Sequence, residues 1–178
     1  MFEKFKSWLP LIGAFLIPLL AVYGWWGGFR SATVLPAERG PYVYAYLDHV
    51  GDLAKIPKTQ NQVRAMLKAQ GVTPGMPINV LLDDPRKVAR AELRAQTGYL
   101  INAQTPIKAP LKRGEIAKRP VWLAQVQAAV LLAPSKAYQA LADHLQTQQR
   151  DIQMPTVELY ETAPDLWHVG VLSVEMAR

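Results

Sequence analysis

The chain of 178 residues contains no cysteine, only three histidines and only four serines. Without cysteine there is no disulfide, no thiol nucleophile, no zinc ribbon and no iron–sulfur cluster. His49, His144 and His168 stand too far apart in sequence for metal-ligand spacing, so no metal site is expected. No serine sits in a G-x-S-x-G setting, and neither G-x-G-x-x-G nor G-K-[ST] occurs. Nucleotide binding is therefore unsupported and no cofactor is expected.

Charge is also missing locally. From Ser7 to Phe29 no side chain is charged, and eight of the sixteen aromatic residues lie at or before Phe29. The mean hydropathy of +0.00 thus averages an apolar start and a polar remainder. The run WLPLIGAFLIPLLAVYGWWGGF has about the roughly 20 residues that a bilayer-spanning helix needs. Lys4 and Lys6 precede it, and Trp8, Tyr23, Trp25 and Trp26 mark its ends as interfacial rings would. The expectation is a single-pass anchor in the inner (cell) membrane, with the bilayer as a partner through residues 7–29. A cleaved signal peptide is the alternative, but Ala21-Val22-Tyr23 lacks a small-x-small cleavage pattern. The positive-inside rule favours an inside N-terminus and a periplasmic or otherwise extracytoplasmic domain, by a margin of about one charge. Translocation of the short tail would reverse that.

The rest is long enough for one folded domain. The expected division is 1–30 for tail and transmembrane helix, 31–40 for a linker of small residues, and 41–178 for the domain. Pro41 to Asp48 alternates as a strand, with Tyr42, Tyr44 and Tyr46 on one face. A helix follows from about Pro57 to Gln70, stopped by Gly71, and then a strand from Pro77 to Leu82. Another strand is expected near Thr97 to Asn102. Val121 to Leu132 opens a second series: strand, helix from Pro134 to about Gln148, and strands at Thr156 to Tyr160 and Trp167 to Val174. The helix-opening prolines Pro57 and Pro134, and the strand-opening Pro77 and Pro155, recur at a near-constant offset of about 77 residues, as an internal duplication would give. The expected fold is α+β: duplicated strand–helix–strand–strand modules form one sheet with two helices on one face and a central cleft, preceded by the transmembrane helix.

Between the modules, Asp84 to Pro120 holds nine Lys and Arg against three acids. A contact with phosphate or anionic lipid is one reading and a solvated connector is the other. The segment lacks the interleaved aromatics of a nucleic-acid binder, so no nucleic-acid partner is expected.

Leu81-Leu82-Asp83-Asp84-Pro85, followed by Val88, Glu92-Leu93-Arg94 and Gly98, resembles the D-D-P-x-x-V-x-x-x-E-L-R-x-x-x-G run of GyrI-like domains. Those are the effector-binding domains of multidrug-sensing regulators and of the DNA gyrase inhibitor protein. Met154 to Tyr160 is similar to the family's second-half proline–x–x–glutamate–aliphatic–tyrosine strand. The resemblance covers roughly Pro41 to Val174 and implies a small-molecule-binding domain with a cleft between pseudo-symmetric halves. It also implies that Glu158 reaches into an apolar, aromatic-lined pocket and faces lipophilic cations.

From the residues alone, Glu158 interrupts an apolar strand between Val157 and Leu159. A carboxylate out of water costs several kcal/mol unless paired, and a cationic ligand would pair it. The competing reading puts Glu158 on the solvent face with Thr156. Tyr160 shares its face. Tyr46, Trp122 and Trp167 are the other candidate pocket walls. Asp83-Asp84-Pro85 reads as turn chemistry. The expected function is binding or sequestering an apolar ligand, cationic where charged, with Glu158, Tyr160, Tyr46, Trp122 and Trp167 as ligand-binding residues. The alternatives are a hydrolase of a reactive small molecule using Glu158, which would need an aromatic OH or NH on the same water, and an interaction scaffold with a filled cleft.

Overall fold

The computed structural model describes residues 2–161 and 169–178. Helix α1 spans Phe2–Trp25. There follow strands β1 (Thr33–Arg39) and β2 (Tyr42–Val50), helix α2 (Ile56–Ala69), and strands β3 (Pro77–Leu81) and β4 (Arg94–Leu100). Then come β5 (Lys112–Ile116), β6 (Arg119–Ala129), helix α3 (Ala133–Gln146), β7 (Thr156–Glu161) and β8 (Val169–Ala177).

Local chemistry explains the two domain helices. Asp52 accepts a hydrogen bond from the Ala54 N–H at 3.0 Å and caps the turn that leads into α2. Pro57 then sits in the first turn, where its missing N–H costs nothing. Ile56, Val63 and Leu67 are buried on one face, and Gly71, at a φ of +73°, supplies the left-handed residue that ends the helix. In α3, Pro134 plays the same opening part, and Ala137, Leu141 and Leu145 are buried.

All eight strands join one antiparallel sheet in the order β1-β6-β8-β7-β3-β4-β2-β5. The order divides in the middle. One half is β3-β4-β2-β5 with α2, and the other is β7-β8-β6-β1 with α3, joined along the β3–β7 seam where Asn79 pairs with Glu158. The repeated unit is larger than strand–helix–strand–strand, because a lead strand precedes each unit. The lead strands are exchanged: β1 precedes β2 but pairs with β6, while β5 precedes β6 but pairs with β2. Gly40 and Pro41 alone join β1 to β2 although the two lie near opposite ends of the order, so the sheet curls until its ends approach.

The register sorts every side chain to one of two faces. Both helices cover the same face. There α3 packs on Ala124, Val126, Leu172 and Val174, and α2 packs on Ala45 and Tyr99. The concave face holds Tyr44, Ile78, Val80, Val157 and Leu159, with Tyr42 and Tyr46 beside them. At its end the fully buried Glu175 accepts from the Tyr42 hydroxyl at 2.6 Å, Arg39 at 2.9 Å and Arg119 at 3.1 Å. Two cations compensate the one buried acid, and the three side chains tie β1, β2 and β6 to β8. Burial and the neighbouring Glu175 push the Tyr42 hydroxyl up to about 12.

The structure corrects several expectations. The uncharged run from Ser7 to Phe29 is not one helix. It leaves helical geometry after Trp25, and the next residues form a turn against the domain. The Ala129 N–H donates to the Trp26 carbonyl at 2.9 Å, and a Cβ on Gly27 would stand 2.7 Å from the Gln127 carbonyl oxygen. The uncharged helical part is thus about 19 residues, or roughly 28 Å at the usual rise, just under the roughly 30 Å hydrocarbon core. Among the described residues no helix is long and apolar enough to cross a membrane. The fold class therefore stands as α+β with a leading helix, without the transmembrane span. The single-pass anchor, the inner-membrane location with an extracytoplasmic domain, and the bilayer partner are withdrawn with it. Residues 31–40 carry β1 where a linker was expected, and β5 lies inside the basic connector.

The connector's charge is largely answered. Eight of its nine cations form ion pairs, among them Arg86 and Lys87 with Asp151, Arg90 with Asp52, Arg94 with Asp83, and Arg119 with Glu175. The charges link loops and strands to one another.

Candidate functional site: a cleft over the seam between the halves

Because β3 and β7 form the seam, α2 and α3 flank it and do not cover it. A cleft of about 990 Å³ opens between them. Its floor is Asn79, Glu158 and Tyr160. Its walls are largely apolar, with Leu53, Ile56 and Pro57 on one side and Leu131, Pro134 and Tyr138 on the other. Apolar walls with a few convergent polar groups are the usual make-up of a small-molecule site.

Glu158 is 5% exposed, on the helix-bearing face, so the solvent-face reading fails. Thr156 on the same strand is fully buried beneath α3, where it shares a 2.7 Å hydrogen bond with the Tyr138 hydroxyl. The carboxylate is held by a chain of polar groups from both halves. Thr97 donates to Asn79 Oδ1 at 2.6 Å, which turns the Asn79 amide nitrogen toward Glu158 Oε2 at 3.3 Å. Gln60 of α2 donates to the same Asn79 oxygen at 3.4 Å. Tyr160 donates to Oε2 at 3.1 Å. Both of these bonds to the carboxylate fall on Oε2. The Tyr138 hydroxyl also acts on the carboxyl, and all three groups are neutral, so no cation meets Glu158 among the described residues.

The electrostatics follow from this burial. Loss of water raises the Glu158 carboxyl above its ordinary range, while Asn79, Tyr160 and Tyr138 pull it back. Burial and the adjacent carboxylate hold the Tyr138 and Tyr160 hydroxyls well above their ordinary value, so both stay protonated as donors.

The structure brings only some of the candidate wall residues here. Tyr160 stands beside Glu158 on the floor. Tyr46 lies on the concave face, on the far side of the sheet, its ring 5.3 Å from that of Tyr44. The strand parity explains this, since Tyr46 opposes Gly98 while Ala45 points to α2. Trp122 is on the helix-bearing face but away from the cleft, packed on His144 at 4.5 Å with Arg178 over its ring. Trp167 lies outside the described residues. Asp83-Asp84-Pro85 is turn chemistry as read: Asp84 accepts from the Arg86 N–H at 2.9 Å, and Asp83 accepts from the Arg94 N–H at 2.9 Å. Asp84 lines the cleft's edge but is committed to Arg86. His49 spends both ring nitrogens, on Thr59 and on the Asp52 carbonyl.

Three residues of the site escape the sequence reading: Asn79, Tyr138 and Arg64. Asn79 carried the same signal as Glu158, a polar side chain interrupting an apolar strand, in Pro77-Ile78-Asn79-Val80-Leu81. Tyr138 stands on the same helix as the buried Ala137, Leu141 and Leu145, and nothing in its local sequence separates it from their apolar packing.

Neither a protein-family model nor a curated protein matches the sequence. Solved structures do. The chain is similar to EcmrR in a cryo-EM EcmrR–DNA complex, with a TM-score of 0.65 and 10% identity over 98% of this chain and 68% of that one. It is similar to the crystal structure of the EcmrR C-terminal domain, at a TM-score of 0.65 and 11% identity over 82% of this chain and 96% of that one. It is also similar to SAV2435 bound to tetraphenylphosphonium, at a TM-score of 0.59 and 11% identity over 82% and 93%. At these identities the likeness is one of fold alone.

Proposed function

We propose that this chain is a small-molecule-binding protein of the GyrI-like effector-binding kind. Its cleft takes an apolar ligand, cationic where charged, against Glu158. One observation carries the reading: a buried carboxylate, met among the described residues by neutral groups only, lies on the floor of an apolar cleft large enough for a drug-sized molecule. Burying a charge without a partner is costly, so a site that does so is built for a group that arrives from outside. The solved neighbour that holds tetraphenylphosphonium, a lipophilic cation, supports the choice of ligand class.

The geometry favours binding over hydrolysis. A water-activating site needs a second donor on the water, yet Tyr160 donates to Glu158 itself and Tyr138 shares its hydroxyl with Thr156. The cleft is open, which argues against a scaffold with a filled site.

A thermal-shift screen tests the reading. Tetraphenylphosphonium and other aryl cations should raise the melting temperature through linkage, by about 2.7 kcal/mol of added stability at a hundredfold excess over Kd. Glu158→Gln should remove most of that gain. The absence of a shift across the whole set would refute the reading.

A further inference from the structure

Four charged side chains line the cleft: Glu158, Asp84, Arg86 and Arg64. Asp84 and Arg86 neutralise each other through a 2.7 Å ion pair. Glu158 on the floor and Arg64 at the mouth remain, of opposite sign. Arg64 has no acidic partner among the described residues, and α2, which carries it, has three cations and no acid.

Arg64 is also held in place. Its Nε donates to the hydroxyl of the buried Tyr99 at 3.0 Å, and its guanidinium carbon stands 5.3 Å above that ring. An unanchored surface arginine spreads over many rotamers. Here, on a residue that lines the cleft, the Nε edge of the fork is fixed, and the terminal nitrogens have no hydrogen-bond partner among the described residues. That is the arrangement in which a guanidinium meets a carboxylate or phosphate with little ordering cost.

We propose that Arg64 selects ligands that carry an anionic group, so that this cleft prefers an apolar molecule with a donor or cationic end at Glu158 and a carboxylate or phosphate end at Arg64. The inference rests on the binding function proposed above and narrows its ligand class. A plain lipophilic cation would fill only the inner part of such a site and leave Arg64 unanswered.

Two matched probes test it on the full chain: carboxybutyl-triphenylphosphonium and its methyl ester, which share an apolar cationic body and differ in one anion. Titration calorimetry should show the acid binding about tenfold tighter than the ester, since one charge-assisted pair at a half-open site is of that order. Arg64→Met keeps the aliphatic stem and should bring the acid to the ester's affinity, with the ester binding no more weakly than to the wild type. Circular dichroism melting of Arg64→Met checks that the variant folds. If it does not, Arg64→Lys, which keeps the charge but loses the fork, should retain only part of the preference. Equal binding of acid and ester by the wild-type chain overturns the role of Arg64 alone. Failure of both probes to bind overturns the binding function as well.

Discussion

Glu158 is a residue whose burial opposes stability. Its carboxyl is held above its ordinary range by loss of water. A raised acid binds its proton more tightly in the folded state. The folded state therefore loses relative stability as the pH climbs past the unfolded value, until the folded group has ionised too. Glu158→Gln removes that cost and keeps an acceptor for Asn79 and Tyr160. It should melt a few degrees higher than the wild type at pH 7, and the difference should fade below about pH 4. A variant that melts lower at pH 7 would mean the carboxylate is structurally required. Gly98 makes a second prediction. A Cβ there would stand 1.9 Å from the Ala45 carbonyl oxygen, and backbone cannot give way. Gly98→Ala should cost about 3 kcal/mol in denaturant unfolding. The Gly in the D-D-P…E-L-R…G run is thus kept by the close approach of β2 and β4.

At the scale of elements, the loop from Leu82 to Leu93 is fixed by acids on both sides. Asp84 takes Arg86, and Asp151, from the far half, takes both Arg86 and Lys87. The guanidinium of Arg86 holds the Asp84 carboxyl below the usual range. A depressed acid gives stability that is present above its unfolded pKa and lost as the pH falls through the folded one. Asp84→Asn should therefore cost about 1–2 kcal/mol at pH 7, with the gap to the wild type closing as the pH drops below about 3.8. A gap that persists in acid would point to packing as the cause. The elements also show what a sequence can and cannot display. α2, β3, α3 and β7 stood out because each combines a strong apolar period with a proline at its start. β1 and β5 did not: Thr33–Arg39 has a proline in its middle, and Lys112–Ile116 is mostly charged. Both are edge strands, and edge strands tolerate such residues. Their pairing is decided by the other half of the chain, which no local pattern reveals. The same applies to the site. Glu158 and Tyr160 were legible from one strand, whereas Tyr46 fell on the wrong side because both faces of β2 are apolar. Tyr138 and Arg64 reach the cleft only through the packing of helices on the sheet.

At the scale of the whole molecule, duplication with exchanged lead strands explains why a cleft exists. Each helix covers its own half, so among the described residues the seam between halves is left with floor and walls but no lid. The seam strands then need a polar pair, Asn79 opposite Glu158, at the one place where no helix packs. Another buried acid, Glu175, shows the contrast. On the concave face it is met by two arginines and a tyrosine and serves the closure of the sheet. Glu158 is met by neutral groups only among the described residues, Asn79, Tyr160 and Tyr138. The central claim is that this carboxylate receives a ligand. Titration calorimetry of tetraphenylphosphonium into the full chain, with wild type and Glu158→Gln side by side, tests it most directly. The expected result is one saturable site in the wild type, weakened at least about tenfold in the variant, as loss of a buried charge pairing requires. Equal affinity in the two proteins, or no heat of binding in either, would contradict it.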